Sequence, residues 1–245
     1  MLACALGTGC VPQDTERKKQ STMEAKPAPP VKEPTAERMT AVEREAASDP
    51  PLTEVFRDDF DRKLLGTAWR ATSAAWRMAD GELCVERGRN HPLWLRRRLP
   101  TNARIEFEAT SHAVVGDIKA EFWGNGFGAA SGSSYNDASS YLTIFGGWNN
   151  QFHVLARLDE HAKDRPEIKL DPDSSELRTA KVRQGETYRF KIERNDGRTV
   201  NWWVNDTLIL GYTDKAPLRG AGHEHFAFND WDAKLCFDNL VVTPL

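Results

Sequence analysis

A chain of 245 residues that is 40% apolar and carries 8 Trp has enough oily surface for one large all-β domain or two small domains. A formal charge of −3 argues against nucleic acid or an anionic membrane surface as partner. No apolar run is long enough to span a bilayer.

The first ten residues, Met1 to Cys10, are small and apolar and end in Cys. They resemble the tail of a bacterial lipoprotein signal, with Gly9 before Cys10 as the lipidated residue. The resemblance is incomplete. No basic segment precedes the apolar stretch, and Gly7 stands where that signal usually has Leu. It implies an exported protein of the bacterial cell envelope, touching the membrane only through a lipid on Cys10. Residues 11–51 are rich in Pro, Glu, Lys, Ala, Thr and Gln, and nearly free of bulky apolar side chains. Such a segment cannot offset its ordering entropy, so it reads as a disordered tether. A short, weak helix is the most that residues 35–47 offer.

From residue 52 the pattern changes to short alternating strands with turn punctuation. Asp80-Gly81 separates Trp76–Met78 from Leu83–Val85. Asn195-Asp196-Gly197 separates Tyr188–Ile192 from Val200–Val204, and Asn205-Asp206 ends that strand. These residue types tolerate the positive φ that tight hairpins demand. No long stretch with helical period follows. The expected fold is all-β, a two-sheet antiparallel jelly-roll sandwich over 52–245. Cys84 and Cys236 fall on strands that are plausible neighbours, which leaves either a disulfide or two separate thiols.

The stretch Phe152 to His161 splits by parity into an oily face, Phe152, Val154, Ala156 and Leu158, and an equipped face, His153, Leu155, Arg157, Asp159 and His161. Three other segments are read the same way. Ile118, Ala120 and Phe122 are assigned to the core, turning Asp117, Lys119, Glu121 and Trp123 to the other side. Leu142 and Ile144 are assigned to the core, leaving Tyr141, Thr143 and Phe145 opposite. Phe226 and Phe228 are assigned to the core, so His223, His225, Ala227 and Asn229 share the other side. Glu106, Glu108, Arg189, Lys191 and Glu193 form plain charged faces and are assigned to the other, solvated sheet. Trp202 has core parity, and Trp203 is assigned to the back sheet.

The region opens with Phe56-Arg57-Asp58-Asp59-Phe60 and closes with Phe237-Asp238-Asn239-Leu240-Val241-Val242. Both ends resemble concanavalin-A-like lectin/glucanase sandwiches, above all the bacterial branch with laminin-G-like and 3-keto-disaccharide-hydrolase-like proteins. The resemblance covers nearly all of 53–245. It implies neighbouring first and last strands and a ligand, commonly a carbohydrate, on the concave sheet. The Glu-x-Asp-x-x-Glu strand of the superfamily's glucanases is absent.

Three functions are therefore open: carbohydrate binding, a carbohydrate-active hydrolase or lyase, and a structural domain of a lipoprotein. The expected catalytic set is His153, Arg157, Asp159, His161, His223 and His225. The expected substrate-binding set is Glu121, Trp123, Tyr141, Trp148, Asn149, Arg165 and Asn229, with the Trp residues stacking on sugar rings. Arg157 suits a carboxylate and makes an acidic sugar a reasonable ligand. His223 and His225, two apart on a strand, have the spacing of paired metal ligands, but no metal is assigned. No cofactor is expected beyond a structural calcium ion that this fold admits. The protein is expected to act as a monomer.

Overall fold

The computed structural model describes residues 39–245. The expectations for the signal remnant, Cys10 and the tether up to residue 38 lie outside them. In chain order the elements are α1 (Ala41–Ala47), β1 (Phe56–Asp58), β2 (Trp69–Ala71), β3 (Arg77–Ala79), β4 (Glu82–Val85), β5 (Leu93–Leu95), β6 (Ala103–Ser111), β7 (Ile118–Gly124), β8 (Tyr141–Gly146), β9 (Phe152–Arg157), β10 (Glu167–Lys169), β11 (Thr187–Arg194), β12 (Thr199–Val204), β13 (Thr207–Thr213), β14 (His225–Asn229) and β15 (Leu235–Pro244). Among the described residues no helix is long and apolar enough to cross a membrane.

The strands form two antiparallel sheets, as the alternation implies. The eight-stranded sheet runs β13-β12-β11-β6-β15-β4-β3, with β1 also pairing β15. The first and last strands are thus neighbours, Phe56 opposite Val242. The seven-stranded sheet runs β10-β9-β8-β7-β14-β5-β2. The hairpin turns carry the positive φ their residues foretold, 53° at Asp80, 44° at Asn205 and 65° at Asp206. Between the sheets lies one large core, with Ile105, Phe107, Phe190 and Trp202 from one side and Ile118, Phe122, Phe226 and Phe228 from the other. Each such side chain contributes about 1.5–3 kcal/mol by leaving water. Glu106, Arg189 and Lys191 alternate with this core and face outward. Trp203 lies on that same outer face with the Lys191 ammonium 4.3 Å from its ring.

Cys84 and Cys236 are directly opposite on β4 and β15 and form a disulfide, their Cα atoms 4.1 Å apart.

The domain starts earlier than residue 52. Thr40 and Glu43 form a reciprocal capping box on α1, which buries Ala46. Asp49, 4% exposed, lies 2.9 Å from the Arg70 guanidinium and 3.3 Å from His225 Nε2. The Leu52 N–H donates to the Arg98 carbonyl at 2.8 Å, and the Arg98 N–H to the Pro50 carbonyl at 2.9 Å. Composition gives no hint of this, because apart from Ala46 the segment is held by charge and backbone pairing.

Candidate functional site

Register decides which residues of the seven-stranded sheet face the core. Ile118 is opposite Phe145, and Phe145 is opposite His153. Residues opposite each other in an antiparallel pair share a face. Phe145, Tyr141, Leu155 and His153 therefore point inward with Ile118, the reverse of the parity expected for β8 and β9. Leu142, Ile144, Val154 and Ala156 point outward, beside Lys119, Glu121, Ala227 and Asn229. They are not bare. The loop between β7 and β8 folds over them with Tyr135 and Ala138, and a second small core forms on the sheet's outer face. Both faces of these strands are thus apolar.

His153, Trp123 and Tyr141 lie away from any ligand-accessible surface, whereas Arg157 lines a separate surface cleft with Arg165. His153 is fully buried, stacked on Phe145 at 4.1 Å, with its Nδ1 accepting the Gly146 N–H at 3.0 Å. Burial pulls its pKa down to about 3, so it is neutral. Trp123 is also fully buried. It has a φ of 53° and sits where the pairing with β14 slips between His225 and Phe226, a bulge that turns its ring inward. Its Nε1–H reaches the Pro100 carbonyl at 3.1 Å, and the Arg194 guanidinium lies 3.7 Å over the ring. Tyr141 is buried and donates its hydroxyl to Asp214 at 2.7 Å. Arg157, on the same inward side at the rim, bonds Asp214 at 2.7 Å and the Ala216 carbonyl at 3.0 Å.

The chain leaves β9 at Arg157, and Leu158 takes a φ of 64°. Strand parity therefore does not extend to Asp159 and His161. Asp159 instead accepts the His161 N–H at 2.8 Å and closes a turn. His225 opens β14 at its far end, where it pairs with Gly124, and His223 lies in the loop before the strand, so the two are not strand neighbours as expected. His223 Nδ1 is 2.8 Å from the Ser139 carbonyl. His225 is buried beside Asp49, and burial lowers its pKa to about 4. The two imidazoles face different partners and do not converge with His153 or His161.

At the opposite end of β7 the outer face opens into a cavity of about 350 Å3. Its lining includes Asp117, Lys119, Glu160, His161, Trp148, Asn149, Trp231 and Asp232. Three of the expected residues, Trp148, Asn149 and His161, are brought together here. Gly146 at φ 77° leads into a left-handed turn in which Trp148 (52°) and Asn149 (57°) also have positive φ, presenting them at the rim. Arg165 stacks over Trp148 at 4.2 Å, and Arg89 over Trp231 at 4.7 Å.

The floor is a charged network with little exposure. Lys119 Nζ donates to Glu160 Oε2 at 2.8 Å and to Asn90 Oδ1 at 2.7 Å. Burial works against the Lys119 charge, but Glu160 and Asp117 outweigh it and raise its pKa. Asp117, half-buried at the wall, is pushed up to about 6 by burial and by Glu160, against the pull of Lys119. Deeper in, Glu121 accepts bonds from Tyr135 (2.9 Å), Ser140 (2.5 Å) and Asn229 (2.7 Å), and burial pushes it up to about 7. Asp230 is likewise raised to about 7 by burial and by Asp117. Glu121 and Asn229 thus face the expected side but lie under the Tyr135 loop. Glu160, Trp231, Asp232 and Asn90 were missed by sequence reasoning. They lie in turns, and only the fold brings them to β7.

No protein-family model matches this sequence, and no curated protein matches it. Solved structures are similar in fold. A carbohydrate-binding module, CBM66 from Bacillus subtilis, superposes with a TM-score of 0.52 at 14% identity, covering 72% of this chain and 96% of that one. A beta-glucanase of Bacillus licheniformis gives 0.54 at 9% identity, covering 78% and 98%. A prokaryotic beta-1,3-1,4-glucanase (lichenase) derived from a mouse hindgut metagenome gives 0.52 at 10%, covering 78% and 100%. At such identities the likeness is one of fold, and the fold is the concanavalin-A-like jelly roll.

Proposed function

We propose that this protein binds a carbohydrate in the cavity at the Asp117 end of β7. The observation that carries the reading is the pairing of two rim indoles, Trp148 and Trp231, with a floor of fixed polar groups. An indole matches the apolar CH face of a pyranose, while Asp117, Asn149, Glu160 and His161 suit its hydroxyls. The similar solved structures named for carbohydrate binding and for glucanase activity favour a sugar over other small polar ligands.

The ligand we propose is neutral. The acidic sugar expected from Arg157 loses its basis, since that guanidinium is held by Asp214 away from this cavity. Within the cavity, Lys119 and His161 both lie against Glu160. Asp117, Glu160 and Asp232 line the cavity, and the rim guanidiniums Arg89 and Arg165 are already paired with Asp232 and Glu167, which disfavours a uronate.

A hydrolase is the second reading, and one observation favours it. Asp117, raised to about 6, holds a proton over part of the range near neutrality, and a second carboxyl, Glu160, is close enough to influence it. A glycosidase needs one carboxyl protonated and one ionised across the scissile bond. A screen of neutral and acidic oligosaccharides, measuring binding and product release together, separates the readings. Binding without release supports the module. Release abolished by Asp117→Asn supports the enzyme. No retention of any glycan by the intact protein, or equal retention by Trp148→Ala, overturns the carbohydrate assignment.

A further inference from the structure

We propose that Glu82, Cys84, His112 and Cys236 form a Zn2+ site when the Cys84–Cys236 disulfide is reduced. The four residues lie on the outer face of the eight-stranded sheet, so the site is independent of the carbohydrate cavity. Leu83, Val85, Leu235 and Phe237 alternate with them and point into the core. Glu82 and Cys84 are two apart on β4 and share a face. Cys236 is directly opposite Cys84, and Thr110 of β6 is opposite Cys236 from the other side. His112 follows two residues later, anchored by its N–H to the Lys234 carbonyl at 2.8 Å.

One donor atom from each of Glu82, His112 and Cys236 already lies within 4.8 Å of the others. Zn–S bonds of about 2.3 Å and Zn–N or Zn–O bonds of about 2.0–2.2 Å put tetrahedral donors about 3.3–3.8 Å apart. Closing that gap takes side-chain rotation of about 1 Å. Breaking the disulfide supplies the fourth donor, because Cys84 stays opposite Cys236 on a paired strand. Two thiolates, an imidazole and a carboxylate form a set suited to Zn2+ and not to Mg2+ or Ca2+.

The redox step is balanced by a phosphine reductant. The phosphine and one water convert the disulfide to two thiols and become the phosphine oxide. Metal binding then releases the two thiol protons. While the disulfide is intact, both sulfurs are spent and the site does not exist.

The test uses the full chain carrying Cys4→Ser and Cys10→Ser, which leaves Cys84 and Cys236 as the remaining two of its 4 Cys. Co2+ is the probe, read by thiolate-to-metal charge transfer and ligand-field absorption. The reduced protein is expected to bind one Co2+ per chain with tetrahedral spectra, displaced by Zn2+, and the oxidised protein none. His112→Ala and Glu82→Gln should each weaken binding beyond the roughly tenfold scale of lost outer-sphere support. Cys84 and Cys236 are only 2% and 3% exposed, which impedes a reductant. Cys84→Ser therefore serves as a second variant, freeing Cys236 without reductant, and should show a single-thiolate Co2+ spectrum that His112→Ala abolishes. Equal binding by oxidised and reduced protein would overturn the proposal. So would Co2+ affinity, in both the reduced chain and Cys84→Ser, that is unchanged by His112→Ala and Glu82→Gln.

Discussion

Lys119 and Glu160 form a buried ion pair under the cavity, Nζ to Oε2 2.8 Å, with side chains 3% and 8% exposed. Removing one partner strands the other charge, at a cost of about 3–5 kcal/mol, whereas replacing both with apolar groups is far milder. Lys119→Met and Glu160→Leu should each lower the urea midpoint strongly. The double variant Lys119→Met/Glu160→Leu should recover part of the loss. A simple sum of the two single losses would show that the pair is not coupled.

Asp49 ties residues 39–51 to the sheet, so a chain starting at Leu52 should be less stable than one starting at Met39. The Asp49 carboxylate meets Arg70, Arg96 and His225, and itself is 4% exposed. Asp49→Ala should cost on the order of 3 kcal/mol, since it leaves the buried Arg70 guanidinium with only the more distant Glu45 as a carboxylate partner, at 3.7 Å. Thermal melts of the three proteins decide this, and coincident melts would mean the segment is not packed.

The pH dependence of stability carries the signature of Glu121. Its folded pKa is about 7 against an ordinary value of 4.5, because burial favours the protonated form. Between those values the unfolded chain has released the proton and the folded chain still holds it. Stability therefore falls as pH rises through this window, by up to about 1.4 kcal/mol per pH unit for a full proton. Glu121→Gln should remove that part of the slope, so that denaturation midpoints at pH 5 and pH 7.5 lie closer together than in the parent. An unchanged difference would contradict the raised value.

His225 acts at the acid end and with the opposite sign. Its folded pKa is lowered to about 4 from 6.5, chiefly by burial. As pH falls through that range the unfolded chain takes up a proton that the folded one refuses, and stability drops. His225→Gln should flatten the acid limb of the stability curve, measured by urea denaturation from pH 7 to pH 4.

Binding and stability should separate by location. Trp148→Ala and Asp117→Asn alter the cavity wall, and are expected to weaken glycan binding by tenfold or so, about 1.4 kcal/mol, with little loss of stability. His153→Leu should do the reverse. It orphans the buried Gly146 N–H, at about 1–3 kcal/mol, and leaves binding unchanged. Isothermal titration beside denaturation distinguishes the two effects.

Alternation alone determined that this chain is an all-β sandwich. Strands such as β6 and β11, with charged residues on one side and Ile105, Phe107, Phe190 and Ile192 on the other, could be oriented without any partner. The turns at Asp80-Gly81 and Asn205-Asp206 were legible because their residues accept positive φ. The four strands expected to share a sheet do so, as β9-β8-β7-β14. Parity also told correctly that His153, Leu155 and Arg157 share one side of β9. It did not tell which side. The loop carrying Tyr135 and Ala138 covers the outer face, so Val154 and Ala156 are as buried as Leu155, and apolar content no longer marks the core. Pairing with Ile118 through Phe145 decided it. Likewise the bulge at Trp123, the turn at Leu158 and the meeting of Glu160 with Lys119 across 41 residues depend on which strands lie side by side. Local sequence sets the period of side chains, but only the assembled sheets set its phase and bring distant turns to one cavity.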